Sequence, residues 1–164
     1  MHLDGYMDVC DAVLSRRDLA TRQRILKDSH CGAFAVICMV LLAMGQWSLF
    51  LAAEDVSWLG LLLIPAATRA CAGLAGLRPM GTSQYAAMGP ARGGYGAALW
   101  VLLALSVGLP LWLGGSFGPL AAAAGYGLAV WYGYRNLDGM SGDISGFALT
   151  LGELCGCGAA ILWR

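Results

Sequence analysis

Three aspartates open the chain at i, i+4 and i+7: Asp4, Asp8 and Asp11. On a helix, at 100° per residue, they fall within about 60° of one another. Stacked carboxylates repel by a few tenths of a kcal/mol per pair, so their concentration asks for a reason. One reason is a solvated face near a helix N-terminus, where the dipole favours acids. The other is a divalent cation. Mg²⁺ is hard and octahedral, takes oxygen ligands, and shares its shell with water and substrate phosphates. Asp143, in the run Ser141-Gly142-Asp143, is a fourth acid of interest in a chain with only ten Asp and Glu. That pattern points to phosphoryl chemistry at a membrane.

Other residues extend the set. Arg24 and Lys27 precede a long apolar run; they read either as membrane-surface anchors or as a phosphate clamp beside a metal. Asp28 follows Lys27, as the polar end of a helix or as a general base. Asn136 and Ser141 flank Asp138 and Gly139, and glycine permits close backbone approach to a ligand. Glu153 lies about 15 Å further along the last apolar segment than Asp143. A carboxylate at that depth is costly and functional by default, unless it pairs with Arg69, the other embedded charge. His2 and His30 carry little weight alone. No Walker loop, dinucleotide-binding glycine pattern, zinc signature or nucleophile-elbow serine appears.

The elements that must position these residues are membrane helices. The chain has 164 residues, is 59% hydrophobic and 12% charged, and has a mean hydropathy of +0.66. Residues 29–53 and 93–134 contain no Asp, Glu, Lys or Arg, and a membrane helix needs roughly 20 apolar residues. The fold class is therefore all-α: a polytopic membrane bundle of about five transmembrane helices plus an N-terminal interfacial amphipathic helix. The spans fall at roughly 31–53, 56–77, 95–114, 117–134 and 144–163. Residues 1–164 form a single integral membrane domain, with 1–30 a polar head and 31–164 the bundle. In the head, residues 3–15 predict a helix with Leu3, Met7, Cys10 and Leu14 on its apolar face. A second helix runs from about residue 19, starting near Asp18 or Thr21, into the first span.

Net charge is zero, which gives no argument for nucleic acid. The opening residues are polar and mixed in charge, unlike a secretory signal. The six cysteines lack zinc-ribbon spacing and read as small buried hydrophobes. Alternating spans put Arg16, Arg17, Arg22, Arg24, Lys27, Arg78, Arg92 and Arg135 on one face, against Arg164 and the pair Glu54-Asp55 on the other. The positive-inside rule makes the basic face cytoplasmic. Asp4, Asp8, Asp11, Asp28, Asp138 and Asp143 then share that face. Gly142 and Gly146, and Gly152 and Gly156, are each spaced for close helix packing. Oligomeric state is not legible, and a homo-oligomer stays open.

The motifs resemble those of the cobalamin synthases, the adenosylcobinamide-GDP ribazoletransferases of the bacterial inner membrane. The family's head motif, His-x-Asp-Gly-x-x-Asp-x-x-Asp, is matched by His2, Asp4, Gly5, Asp8 and Asp11. Its Ile-Leu-Lys-Asp-Ser run is matched by Ile25 to Ser29, with Gly32 following. Its Gly-Gly-x-Thr-Gly-Asp-x-x-Gly-Ala element and later glutamate are matched by Gly139, Gly142, Asp143, Gly146 and Glu153. Asp138 stands at the first glycine of that element, Ser141 at its threonine and Phe147 at its alanine, and Ala35 replaces a second glycine after Gly32. Family members carry further transmembrane sequence before the head motif, which here opens at residue 2, so the expectation is of a chain shortened relative to them. The resemblance implies a Mg²⁺-dependent reaction of adenosylcobinamide-GDP with α-ribazole or its 5′-phosphate, giving adenosylcobalamin or its phosphate and GMP. Asp4, Asp8, Asp11 and Asp143 would hold the metal. Asp11 or Asp28 would act as base, and Arg24, Lys27, Asn136 and Ser141 would hold substrate. A CDP-alcohol phosphotransferase of lipid synthesis is the alternative enzyme. Against it, no Ala-Arg follows Gly5 and Asp143 is far from the head. An inactive membrane subunit is the non-enzyme alternative.

Overall fold

The computed structural model describes residues 2–77, 93–113 and 116–163. Arg78, Arg92 and Arg164, used above to orient the chain, lie outside the described residues. The elements are α1 (His2–Leu14), α2 (Leu19–Ile25), α3 (Ala33–Leu51), α4 (Trp58–Leu77), α5 (Gly93–Leu113), α6 (Gly118–Leu137) and α7 (Gly142–Leu162). Among the described residues every regular element is a helix. Four helices, α3, α4, α5 and α7, are long and apolar enough to cross a membrane. The fifth expected span, α6, has the length but a lower apolar content. It buries Ala122, Tyr126, Ala129 and Val130 against its neighbours and shows Leu120, Leu128 and Trp131 outward. A helix with so much of its surface covered needs fewer apolar side chains to face lipid.

Helix starts and stops follow local chemistry. Asp18 caps α2 by accepting from the Thr21 N–H (3.1 Å), and Ser141 caps α7 by accepting from the Ile144 N–H (3.3 Å), as N-caps do. The second head helix does not continue into the first span. It ends at Ile25, and Gly32 opens α3 separately. Between them Asp28 accepts the His30 N–H (3.1 Å), a local bond that competes with helix propagation. α6 ends at Asp138, whose φ of 52° lies in the left-handed region. Glycine suits that conformation best and aspartate tolerates it, which accounts for Asp138 standing where the family motif has glycine.

The core gathers where α6 and α7 meet and where α1 lies on α7. The spaced glycines of α7 do what their spacing predicts. A Cβ on Gly152 would come within 2.8 Å of the Ala122 carbonyl oxygen, and one on Gly156 within 3.1 Å of the Gly118 carbonyl oxygen. α1 packs against α7 and α3 through Tyr6, Val9, Cys10 and Val13. Leu3 and Leu14, expected on the apolar face, are exposed instead. The buried stripe is rotated because small Gly5 and Ala12 let the helix approach on their side. Phe147 stacks on Tyr6 of α1 (5.8 Å) and Tyr132 of α6 (6.4 Å), so this departure from the family motif fills the junction of three helices. All six cysteines are free, and Cys31 and Cys155 are exposed, correcting the expectation that all are buried. Burial pushes the Cys10 thiol up to about 12, as suits a packing residue.

Candidate active site where α1 crosses α7

The head motif and the last motif meet at a glycine. A Cβ on Gly5 would stand 2.7 Å from both the Asp143 Cα and its carbonyl oxygen, a distance only glycine permits. One turn further along α7, a Cβ on Gly146 would meet the His2 carbonyl oxygen at 3.0 Å. The main chain of α1 therefore lies directly on the first turns of α7. Asp4 and Asp8, which flank Gly5 on α1, are set beside Asp143.

The electrostatics register that assembly. The Asp8 carboxyl is raised above the usual carboxylate range, first by burial and then by the charges of Asp4, Asp143 and Asp11. No basic side chain among the described residues forms an ion pair with any of the four. Asp11 is turned toward the start of α3: its carboxylate occupies the space a Gly32 side chain would need. That contact explains a glycine at position 32. Asp143 also accepts from the Ser141 hydroxyl (3.4 Å).

The donor set suits a hard cation. It is all oxygen, on rigid helices, with uncompensated negative charge. Among the described residues no three His, Cys, Asp or Glu side chains already stand at coordinating spacing. Asp4, Asp8 and Asp143 are the carboxylates that the crossing of α1 and α7 brings nearest one another, with Asp11 at the edge, toward α3.

The remaining expected residues divide. Arg24 and Lys27 are exposed, and the charge of Arg24 is felt by Asp18 and Asp28. Lys27 and Ser141 share a cavity of about 250 Å³ between α2 and the α6–α7 turn. Asp28 is exposed and bonded to His30 (2.6 Å), away from the acid cluster's contacts. The His30 partner holds its carboxyl below the usual range. Asn136 is engaged structurally. Its Oδ1 accepts from Arg22 (3.3 Å) and its amide donates to the Tyr132 carbonyl (2.9 Å). Arg69 and Glu153 pair across α4 and α7 at 2.5 Å, with Thr68 donating to the same glutamate oxygen (3.4 Å). The pairing alternative therefore describes them, and they lie apart from the head.

Sequence reading missed Arg22 and Gln23. Arg22 reaches the Asn136 carbonyl (3.3 Å) and Gln23 the Leu137 carbonyl (2.8 Å), docking α2 onto the end of α6. Their targets are main-chain oxygens left over at a helix C-terminus, which no side-chain pattern announces.

Known proteins resemble this chain along most of its length. The family described as cobalamin-5-phosphate synthase matches residues 1–161. The adenosylcobinamide-GDP ribazoletransferase of Clostridium botulinum is 33% identical over 99% of this chain and 68% of its own length. That of Clostridium perfringens strain 13 is 34% identical over 95% and 66%. That of Thiobacillus denitrificans is 37% identical over 93% and 62%. The chain thus spans about two thirds of the length of these relatives. No solved structure matches it.

Proposed function

The chain belongs to the cobalamin-5-phosphate synthase family, and from that premise we propose that it is a Mg²⁺-dependent transferase joining adenosylcobinamide-GDP to α-ribazole or its 5′-phosphate. The product is adenosylcobalamin or its 5′-phosphate, and GMP is released. The observation that carries this reading is the Gly5–Asp143 backbone approach, which unites acids from the two ends of the chain.

In the proposed step a ribose hydroxyl of α-ribazole attacks the phosphorus bonded to the cobinamide arm. A new P–O bond forms, the pyrophosphate P–O bond breaks, and GMP leaves. The hydroxyl proton passes to a carboxylate and then to solvent. Bound Mg²⁺ would supply charge stabilisation to the phosphoryl oxygens. Such transfers rest on in-line positioning and electrostatics. Asp4, Asp8 and Asp143 are best placed to hold the cation. Asp11, at the edge of the same cluster, is the better-placed base, because Asp28 is committed to His30. Arg24 and Lys27 orient phosphate.

The proposal extends to location: a multi-pass protein of the bacterial inner membrane with its site toward the cytoplasm. The basic residues Arg16, Arg17, Arg22, Arg24, Lys27 and Arg135 support that orientation.

The test is GMP release from adenosylcobinamide-GDP plus α-ribazole 5′-phosphate in membranes containing the chain, with and without Mg²⁺. Asp143→Asn should reduce Mg²⁺-dependent release by about 100-fold or more. Undiminished turnover in that variant would remove the two-ended site.

A further inference from the structure

We infer that Arg22 and Gln23 are positioning residues: they moor α2 to the end of α6 and so hold Lys27 beside the start of α7. The inference rests on the functional reading above and adds to it the residues that place its cationic side. α2 is a seven-residue helix with no buried residue, and isolated helices shorter than about 12–15 residues are marginal in water. A break flanks it on each side. Arg16, before it, has a left-handed φ of 52°, and the Asp28–His30 turn follows it. Something outside the helix must therefore fix where it lies.

The mooring is a set of hydrogen bonds to the last turn of α6. Gln23 Nε2 donates to the Leu137 carbonyl at 2.8 Å. Arg22 Nη1 donates to the carbonyl and to the Oδ1 of Asn136, each at 3.3 Å, while its Nε donates to the Arg17 carbonyl at 2.7 Å. Asn136 is itself held, its amide donating to the Tyr132 carbonyl at 2.9 Å. The Asn136 and Leu137 carbonyls stand where a helix supplies no donors of its own. Two side chains of α2 thus meet acceptors that α6 leaves over.

The consequence reaches Lys27. The Leu26 N–H donates to the Arg22 carbonyl (2.9 Å) and the Lys27 N–H to the Arg24 carbonyl (3.1 Å), so the main chain at Lys27 continues directly from the moored turn. Lys27 lines the same cavity as Ser141, and the Ser141 hydroxyl donates to Asp143 (3.4 Å). Among the described residues no carboxylate forms an ion pair with Lys27. Its ammonium is available to an anion, and a phosphate-bearing substrate is the anion this reaction brings. The donors of Arg22 and Gln23 are engaged by the protein itself, so the two residues act on substrate only through Lys27.

The experiment is steady-state GMP release in membranes containing the chain, with adenosylcobinamide-GDP and α-ribazole 5′-phosphate varied in turn. Lys27→Gln should raise the KM of the substrate whose phosphate it meets by about fivefold or more, with kcat within about twofold, the signature of lost uniform binding. The double variant Arg22→Ala/Gln23→Ala should raise the same KM, and Arg22→Lys, which keeps a donor, should raise it less. Added to Lys27→Gln, the double variant should change that KM by less than about twofold further, a coupling that a general loss of stability does not produce. Amide exchange in nanodiscs reads the mooring without turnover: the double variant should lose protection in α2 while α1 and α7 keep theirs. The positioning role is overturned, with the function intact, if the double variant lowers kcat at unchanged KM, if Lys27→Gln leaves both KM values alone, or if the effects add in full. Wild-type membranes that release no GMP would sink the function and the kinetic role together, and unchanged exchange in α2 would sink the mooring itself.

Discussion

The Asp8 carboxyl concentrates the tension in this site. Its folded-state pKa is raised by burial and by three neighbouring acids, so its ionised form is disfavoured in the fold. The stability it contributes is complete below the unfolded value of 3.8 and is lost as pH rises through the raised folded value. In EDTA the thermal midpoint should therefore fall as pH climbs through that range, and Asp8→Asn should flatten the fall. Mg²⁺ should restore wild-type stability, by about 2.7 kcal/mol at a hundredfold excess over Kd, and should not stabilise Asp8→Asn. A wild-type midpoint indifferent to Mg²⁺ would argue against a cation at these acids. The exposed His30–Asp28 pair behaves differently. His30 is raised by its bond to Asp28, and Asp28 is lowered by the same bond. The pair's contribution is lost as pH rises through the raised His30 value, and again as pH falls through the lowered Asp28 value. An NMR titration should place His30 above 6.5, and Asp28→Asn should return it to that value.

Helix packing here is decided by a few glycines, and they are not equivalent. Gly152 faces the backbone of α6, so Gly152→Val should cost about 1–3 kcal/mol through forced separation of α6 and α7. Gly45, on α3, has nothing within 4 Å of its missing side chain. Gly45→Ala should therefore stabilise by about 0.5–1 kcal/mol through helix propensity. Thermal midpoints in one detergent would resolve the opposite signs. The same contrast marks what the sequence made legible. Uncharged runs announce membrane helices, because lipid excludes charge along their whole length, and the four-residue glycine spacings on α7 announced its packing face. The orientation of α1 was not legible. Leu3, Met7, Cys10 and Leu14 form an acceptable stripe, but small Gly5 and Ala12 rotate the contact toward Val9 and Val13. The break before α3 was missed because the Asp28–His30 turn is a local bond within an otherwise helical stretch. Among the candidate site residues, Asp4, Asp8 and Asp143 were legible as acids that share one face of the protein, and the crossing of α1 and α7 brings them together. Asn136 was not legible as structure, because its partner Arg22 arrives from the far end of the chain.

Among the described residues, one charged pair lies within the apolar part of the bundle. Arg69 and Glu153 join α4 to α7 within the apolar region. Arg69→Leu should destabilise by about 2.5–3.5 kcal/mol, the cost of a lone charge near a helix centre, and adding Glu153→Gln should recover part of it. A double-mutant cycle on thermal stability measures the coupling. Orientation has its own probe in Cys31, which is exposed at the head end of α3. A membrane-impermeant maleimide should label it in inside-out vesicles and not in right-side-out ones; the reverse would invert the topology. The contact between Gly5 and Asp143 also bears on how the protein is made. A ribosome delivers α1 well before α7, with α2 to α6 between them. During that interval Gly5 of α1 waits for the segment of α7 that it packs against. The contact can form only once α7 has inserted, so a chain stalled anywhere before α7 lacks it altogether rather than in part.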